Sequence, residues 1–184
     1  ELELLDTGAF DAGRYFDVRA EYAKAGPDDI LIQLTCANRG PDSAALHLLA
    51  QAWLRNTWSW GAGRVGGCPK GSITLRAAGE LAIDHPTLGA YHLACEPGHE
   101  LEMLFTENET HAELLFGSPN ESPFVKDAFH RRVIAGERGA VNPACSGTKA
   151  AAWYRLTLAA GQSQTLRFRL RARGLAAAGI GADF

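Results

Sequence analysis

The residues whose type and spacing come nearest to an acid–base pair are Glu107 and Glu109, in the run ENET. On an extended chain they would point to the same side about 7 Å apart, a separation that suits an inverting glycosidase. An acid and a base must flank the scissile bond from opposite sides, however, and neighbours on one strand line the same side of a substrate. That geometry argues against catalysis by the pair. His92, Cys95 and His99 have the spacing of metal ligands, but in a strand His92 and Cys95 face opposite ways, whereas a chelate needs them together. Structural roles are expected for all three. Ser146-Gly147-Thr148-Lys149 matches the end of a phosphate-binding loop but lacks the upstream glycine at the required distance. There is no GxSxG and no CxxC, so neither a serine hydrolase elbow nor a zinc ribbon is expected. The sequence thus predicts no catalytic set, no metal site and no cofactor. Asn108-Glu109-Thr110 and Asn120-Glu121-Ser122 match glycosylation acceptors, which matter only in a secretory pathway.

A denser group of polar and aromatic residues lies in Leu46–Gly61, LHLLAQAWLRNTWSWG, which holds three of the chain's four tryptophans. Trp53, Arg55, Asn56, Trp58 and Trp60 offer flat faces with polar edges, suited to stacking on a sugar ring or to plugging the end of a sandwich. The element that positions them precedes them. Leu46, Leu48, Ala50, Ala52 and Leu54 recur at period two and predict a strand with one buried face.

The rest of the chain must support that stretch, and its 184 residues suffice for one domain with a sizeable core. A net charge of −3 with both signs interspersed leaves no electrostatic footprint for nucleic acid. No apolar run approaches the roughly 20 residues of a membrane helix. The opening ELELLD has neither the basic region nor the long apolar region of a signal peptide, and the absence of an initiator methionine points to an excised piece of a longer protein. Cys36, Cys68, Cys95 and Cys145 are widely spaced and are expected as free thiols in a reducing compartment, with two disulfides in a secreted protein as the alternative.

Alternation and turn residues mark about ten short strands. They fall at Glu1–Leu5, Arg14–Lys24, Asp29–Arg39, the Leu46 stretch, Ser72–Ala77, Leu81–Asp84, Gly89–Glu96, Leu101–Thr106, and two after Tyr154. Arg14–Lys24 reads as half-buried, with Phe16, Val18, Ala20 and Tyr22 inward. Arg39-Gly40-Pro41-Asp42-Ser43 reads as a hairpin turn, and so does Ala160-Gly161-Gln162, with Arg167, Arg169 and Arg171 forming a solvated outer row. Gly61–Gly71, with five glycines and a proline, must be a loop. One short helix is expected near Phe124–Arg132. The fold predicted is all-β, a large antiparallel β-sandwich over residues 1–173 with at most one or two short helices, followed by a linker over 174–184.

The run RYFDVRAEYAKAGPDDILIQLTCANRGPDSAALHLLAQAWLRNTWSWG resembles the N-terminal region of bacterial glucosidase-like proteins related to glycoside hydrolase family 63. LFTENETH, SPFVKDAFH and VNPACSGTKAAAWYRLTLAAGQSQTLRFRL follow in that family's order. The resemblance implies a supersandwich-like N-terminal domain joined to a C-terminal (α/α)6 barrel that hydrolyses α-glucosidic bonds with inversion. The barrel's catalytic carboxylates have no matching positions here. What carries over is RNTWSW, with Arg55, Asn56, Trp58 and Trp60, together with Asn108, Glu109, Lys126 and Asp127, as residues facing the barrel or its sugar pocket. The function implied is a non-catalytic domain that shapes the mouth of that barrel, in a bacterial cytoplasm. Its expected partners are the catalytic domain of the same parent chain and an α-glucoside or oligosaccharide, with neither nucleic acid nor membrane. The alternatives are an autonomous carbohydrate-binding module and a self-association domain.

Overall fold

The computed structural model describes residues 2–60, 69–175 and 180, and of Trp60 the backbone alone. The described residues form ten strands: β1 (Phe16–Gly26), β2 (Asp29–Asn38), β3 (Ala44–Trp53), β4 (Ser72–Ala77), β5 (Glu80–His85), β6 (Gly89–Cys95), β7 (Glu102–Thr106), β8 (Ser146–Gly147), β9 (Lys149–Leu158) and β10 (Ser163–Ala172). Two short helices, α1 (Ala112–Phe116) and α2 (Ala128–Val133), lie between β7 and β8. The strands make two antiparallel sheets, a seven-stranded one in the order β1-β2-β10-β6-β5-β4-β8 and a three-stranded one in the order β3-β9-β7. The fold is the all-β sandwich that the alternation predicts.

β9 is the central strand of the small sheet and packs against the large one. Ala152, Tyr154, Leu156 and Leu158 face the large sheet, where they pack with Cys36, Cys95, Leu166 and Phe168. Tyr154 is fully buried, meets Phe168 edge to face, and donates its hydroxyl proton to the Glu96 carbonyl at 2.7 Å. The opposite face of β9 is also buried, because Ala151 and Trp153 pack with Leu104 and Phe129 of α2. A third, partial layer therefore covers the back of the small sheet. Leu46, Leu48 and Ala50 of β3 join the main cluster, and Ala52 and Leu54 join its neighbour around Ile73, Leu81 and Phe105.

Two expected hairpins are instead crossings between sheets. The Arg39–Ser43 turn takes the chain from β2 in the large sheet to β3 in the small one, and the Ala160–Gln162 turn takes it from β9 to β10. Buried Asn38 explains both crossings. Its side-chain amide donates to the carbonyls of Asp42 and Leu158 at 2.8 and 2.9 Å, and its own carbonyl oxygen accepts from the Gly40 N–H. Its main chain bonds Gln162 and Gly161. One residue thus holds two corners where hairpins would leave these polar groups to water.

Three further expectations are corrected. The opening strand is a 3₁₀ turn, Leu4–Thr7, closed by a Glu3–Asp6 capping box and by Gly8 at φ 70°. β1 is not the half-buried strand expected: three strands cannot cover seven, so of Phe16, Val18, Ala20 and Tyr22 only Phe16 is partly covered and the other three are exposed. The arginine row is not a solvated face, since Arg169 forms a two-point ion pair with Asp29 at 2.6 and 2.8 Å, both side chains largely buried. The Gly61–Gly71 loop lies outside the described residues over 61–68, and the expected linker lies outside them over 176–179 and 181–184.

Candidate functional site

At the Trp53 end of β3 the chain leaves the small sheet, and three segments meet there: residues 54–60, 107–110 and 119–126. Polar side chains hold them together. Asn108 donates its amide to the Leu54 carbonyl at 2.8 Å, and Asn56 donates to the Asn108 carbonyl at 3.1 Å. The Asn56 side-chain oxygen accepts from Ser59 N–H, fixing the start of the 3₁₀ turn Trp58–Trp60. On the far side Glu107 N–H bonds the Phe124 carbonyl and Lys126 N–H bonds the Glu109 carbonyl, while the Thr106 hydroxyl donates to Val125. The ENET segment is therefore clasped between both neighbours, continuing β7 beyond its last residue.

The two glutamates do point the same way, and a lysine takes both. Lys70 Nζ lies 2.8 Å from Glu109 and 3.1 Å from Glu107. Glu109 also accepts the Trp58 indole N–H at 2.9 Å, and Glu107 accepts the Thr148 hydroxyl at 2.6 Å. The ammonium stands 5.5 Å from the Trp58 ring centroid. Burial alone would lower the Lys70 pKa, but its hydrogen bonds with Glu109 and Glu107 outweigh this and raise it. The carboxylates are thus engaged in a structural network.

Beside this network opens a cavity of about 540 Å³ whose lining includes Trp53, Arg55, Asn56, Asn108, Glu109 and Lys126, together with Asn120 and Glu121. The structure thus brings together five of the residues singled out in the sequence: Arg55, Asn56, Asn108, Glu109 and Lys126. The volume lies in the range of small-molecule sites. The mixed lining of amides, two cationic residues, acids and one indole matches hydroxyl-rich ligands, which need many directional bonds and one flat apolar face. Trp58 sits outside it, half-buried in the network and lining a separate recess of about 280 Å³ with His85, Pro86 and Thr87. Trp60 closes the 3₁₀ turn, and the expectation for its ring lies outside the described structure. The exposed aromatic at the cavity is Trp53.

Asp127, next to Lys126, points away into a pair with His111 Nδ1 at 2.9 Å, and its other oxygen is buried without a partner. Lys149 reaches the Lys126 carbonyl at 3.2 Å; burial, then the charge of Lys126, lowers its pKa. Lys70 and Thr148 are the members that sequence reasoning did not place, and Glu107 was placed only beside Glu109. Thr148 belongs to the SGTK run, and its role is packing. A β-carbon at Gly147 would collide with the Thr106 carbonyl, so β8 lies hard against β7 and presents Thr148 to the ENET backbone.

His92, Cys95 and His99 are not brought together. His92 is buried 3.7 Å from Glu80, where burial and then Arg76 lower its pKa; Cys95 is in the core; His99 occupies a turn at φ 51°. Among the described residues no group of three His, Cys, Asp or Glu side chains is gathered as a metal site, and no helix is long and apolar enough to cross a membrane.

No family model matches the chain. A Saccharomyces cerevisiae protein described as "Uncharacterized protein YMR196W" is 31% identical to it over 179 residues. That match takes in 84% of this chain and 16% of the yeast protein, so the chain spans under a fifth of the length of the curated relative it resembles.

Proposed function

We propose that residues 1–173 are a non-catalytic β-sandwich domain of a longer, glycoside hydrolase family 63-like α-glucosidase, with 174–184 leading towards its catalytic barrel. In this reading the cavity end of the sandwich docks on the barrel and forms part of its mouth. The observation that carries the reading is the convergence of Arg55, Asn56, Asn108, Glu109 and Lys126 on one polar cavity whose nearest carboxylate pair is already engaged. Glu107 and Glu109 share Lys70 on one side of the site, so the two do not flank a bond from opposite sides as cleavage between them would require. Beside the cavity, α1 leaves Leu114, Leu115 and Phe116 more than 60% exposed, an apolar surface that a neighbouring domain would cover. The length of the yeast relative is consistent with a domain that belongs to a larger polypeptide. A cytoplasmic setting agrees with Cys36 and Cys95, buried free thiols whose pKa values burial raises, that of Cys95 to about 12.

The chain alone is expected to release no nitrophenol from nitrophenyl α-glucoside above the buffer rate. Turnover that disappears in Glu109→Gln would overturn the proposal. A second reading, an autonomous glucan-binding module, is favoured by one observation: Trp53 is 58% exposed at the cavity.

A further inference from the structure

Beyond the free edge of β3, part of the inner face of the large sheet is left uncovered by the described residues. The register places exposed Tyr22 beside Ile32 across β1 and β2, next to buried Phe168 of β10, and Leu170 beside Leu93 across β10 and β6. The small sheet ends at β3 before it covers this area. Ile32, Ile83, Leu93 and Leu170 floor an apolar groove of about 360 Å³, with Trp53 and Leu88 at its rim. Leu88 is 67% exposed and Tyr22 70%. The other wall of the groove is β3 itself, which pairs with β9 on one side only. Among the described residues no main-chain hydrogen bond reaches its other edge.

The two sheet edges differ in a telling way. β1, the edge of the large sheet, carries Asp17, Arg19, Glu21 and Lys24, charges that discourage pairing with a further strand. β3, AALHLLAQAW, carries no charge and no proline over ten residues, an edge about 33 Å long. An unguarded edge beside an uncovered apolar floor is a template for one more strand. We infer that β3 and this floor form a docking groove for an extended peptide strand, uncharged and apolar at every second residue, which would extend the three-stranded sheet over the floor. Its main chain would pair with β3 and alternate side chains would enter the groove. A second copy fits less well, because edge-to-edge pairing would bring its own floor into the layer this one occupies. A longer polypeptide offers such a strand, and the yeast relative extends far beyond the aligned region. The inference does not rest on the glucosidase reading, since it uses the free edge of β3 and the sheet floor rather than the polar cavity at its Trp53 end.

The test is a titration of the ¹⁵N-labelled chain with a synthetic peptide of four Val-Thr repeats flanked by lysines, followed by amide shifts. Saturable shifts across Ala44–Trp53 are expected, with none along β1. Leu88→Lys, a change at an exposed side chain, should weaken binding about fivefold. Unperturbed β3 amides at millimolar peptide would overturn the inference, as would equal shifts along β1. Sedimentation showing a dimer abolished by Leu88→Lys would assign the groove to a second copy and overturn it too.

Discussion

Asn38 and Asp29 are single residues on which the architecture turns. Replacing Asn38 by Ala strips partners from the Asp42 and Leu158 carbonyls and from Gly40 N–H in a buried corner. The expected cost is about 3 kcal/mol, a fall in Tm of about 6–12 °C for a domain of this size; thermal unfolding by circular dichroism measures it. Asp29 gives a pH signature. Its hydrogen bonds to Arg169 hold its carboxyl below the ordinary range, against a smaller opposing effect of burial. A depressed carboxyl contributes stability that is complete above the unfolded value of about 3.9 and is lost as pH falls through the folded value. Urea midpoints should therefore drop more steeply below pH 4 in the native chain than in Asp29→Asn, with the variant already less stable at pH 7. Parallel acid limbs would show that the pair contributes nothing. At this scale the sequence was partly legible. Period-two spacing put Glu107 and Glu109 on one side, but Lys70 follows a glycine-rich stretch with no pattern of its own, and only the fold delivers its ammonium to both.

The elements explain why alternation was read correctly for existence and less well for partnership. β3 to β7 and β10 are where period-two spacing places them, while β9 begins at Lys149, ahead of the alternation that starts at Tyr154. Alternation assumes one wet face, however, and over Ala150–Tyr154 β9 has none, because Trp153 and Ala151 pack with Phe129 of α2 while Ala152 and Tyr154 face the large sheet. A turn carries the same Gly, Pro and Asp chemistry whether it closes a hairpin or crosses between layers. The crossings at Arg39–Ser43 and Ala160–Gln162 therefore read as hairpins until Asn38 is seen bridging them. β8 has only two residues and escaped notice, yet its close approach to β7 seats Thr148 under the ENET segment. Gly147→Ala should force the Thr106 carbonyl away and cost about 2 kcal/mol, read as a lowered urea midpoint. Loss of the Trp58 fluorescence environment should accompany it. An unchanged midpoint would show that β8 can yield without cost.

For the molecule as a whole, seven strands against three leave one region of the inner face open beyond the edge of β3, and loops at the Trp53 end of β3 enclose a polar cavity. The fold class could be read from turn spacing and alternation. The imbalance between the sheets could not, since it depends on which strands pair. Likewise, the segments singled out through resemblance do meet, and the structure adds that Trp53, not Trp58, presents an open indole at their junction. The central claim is that this junction is a scaffold surface completed by another domain, and neither an enzyme nor a self-sufficient sugar site. Isothermal titration of the chain with maltotriose, repeated with Trp53→Ala, tests it most directly. No heat of binding at millimolar sugar is predicted for either protein; saturable binding by the native chain that Trp53→Ala abolishes would contradict it.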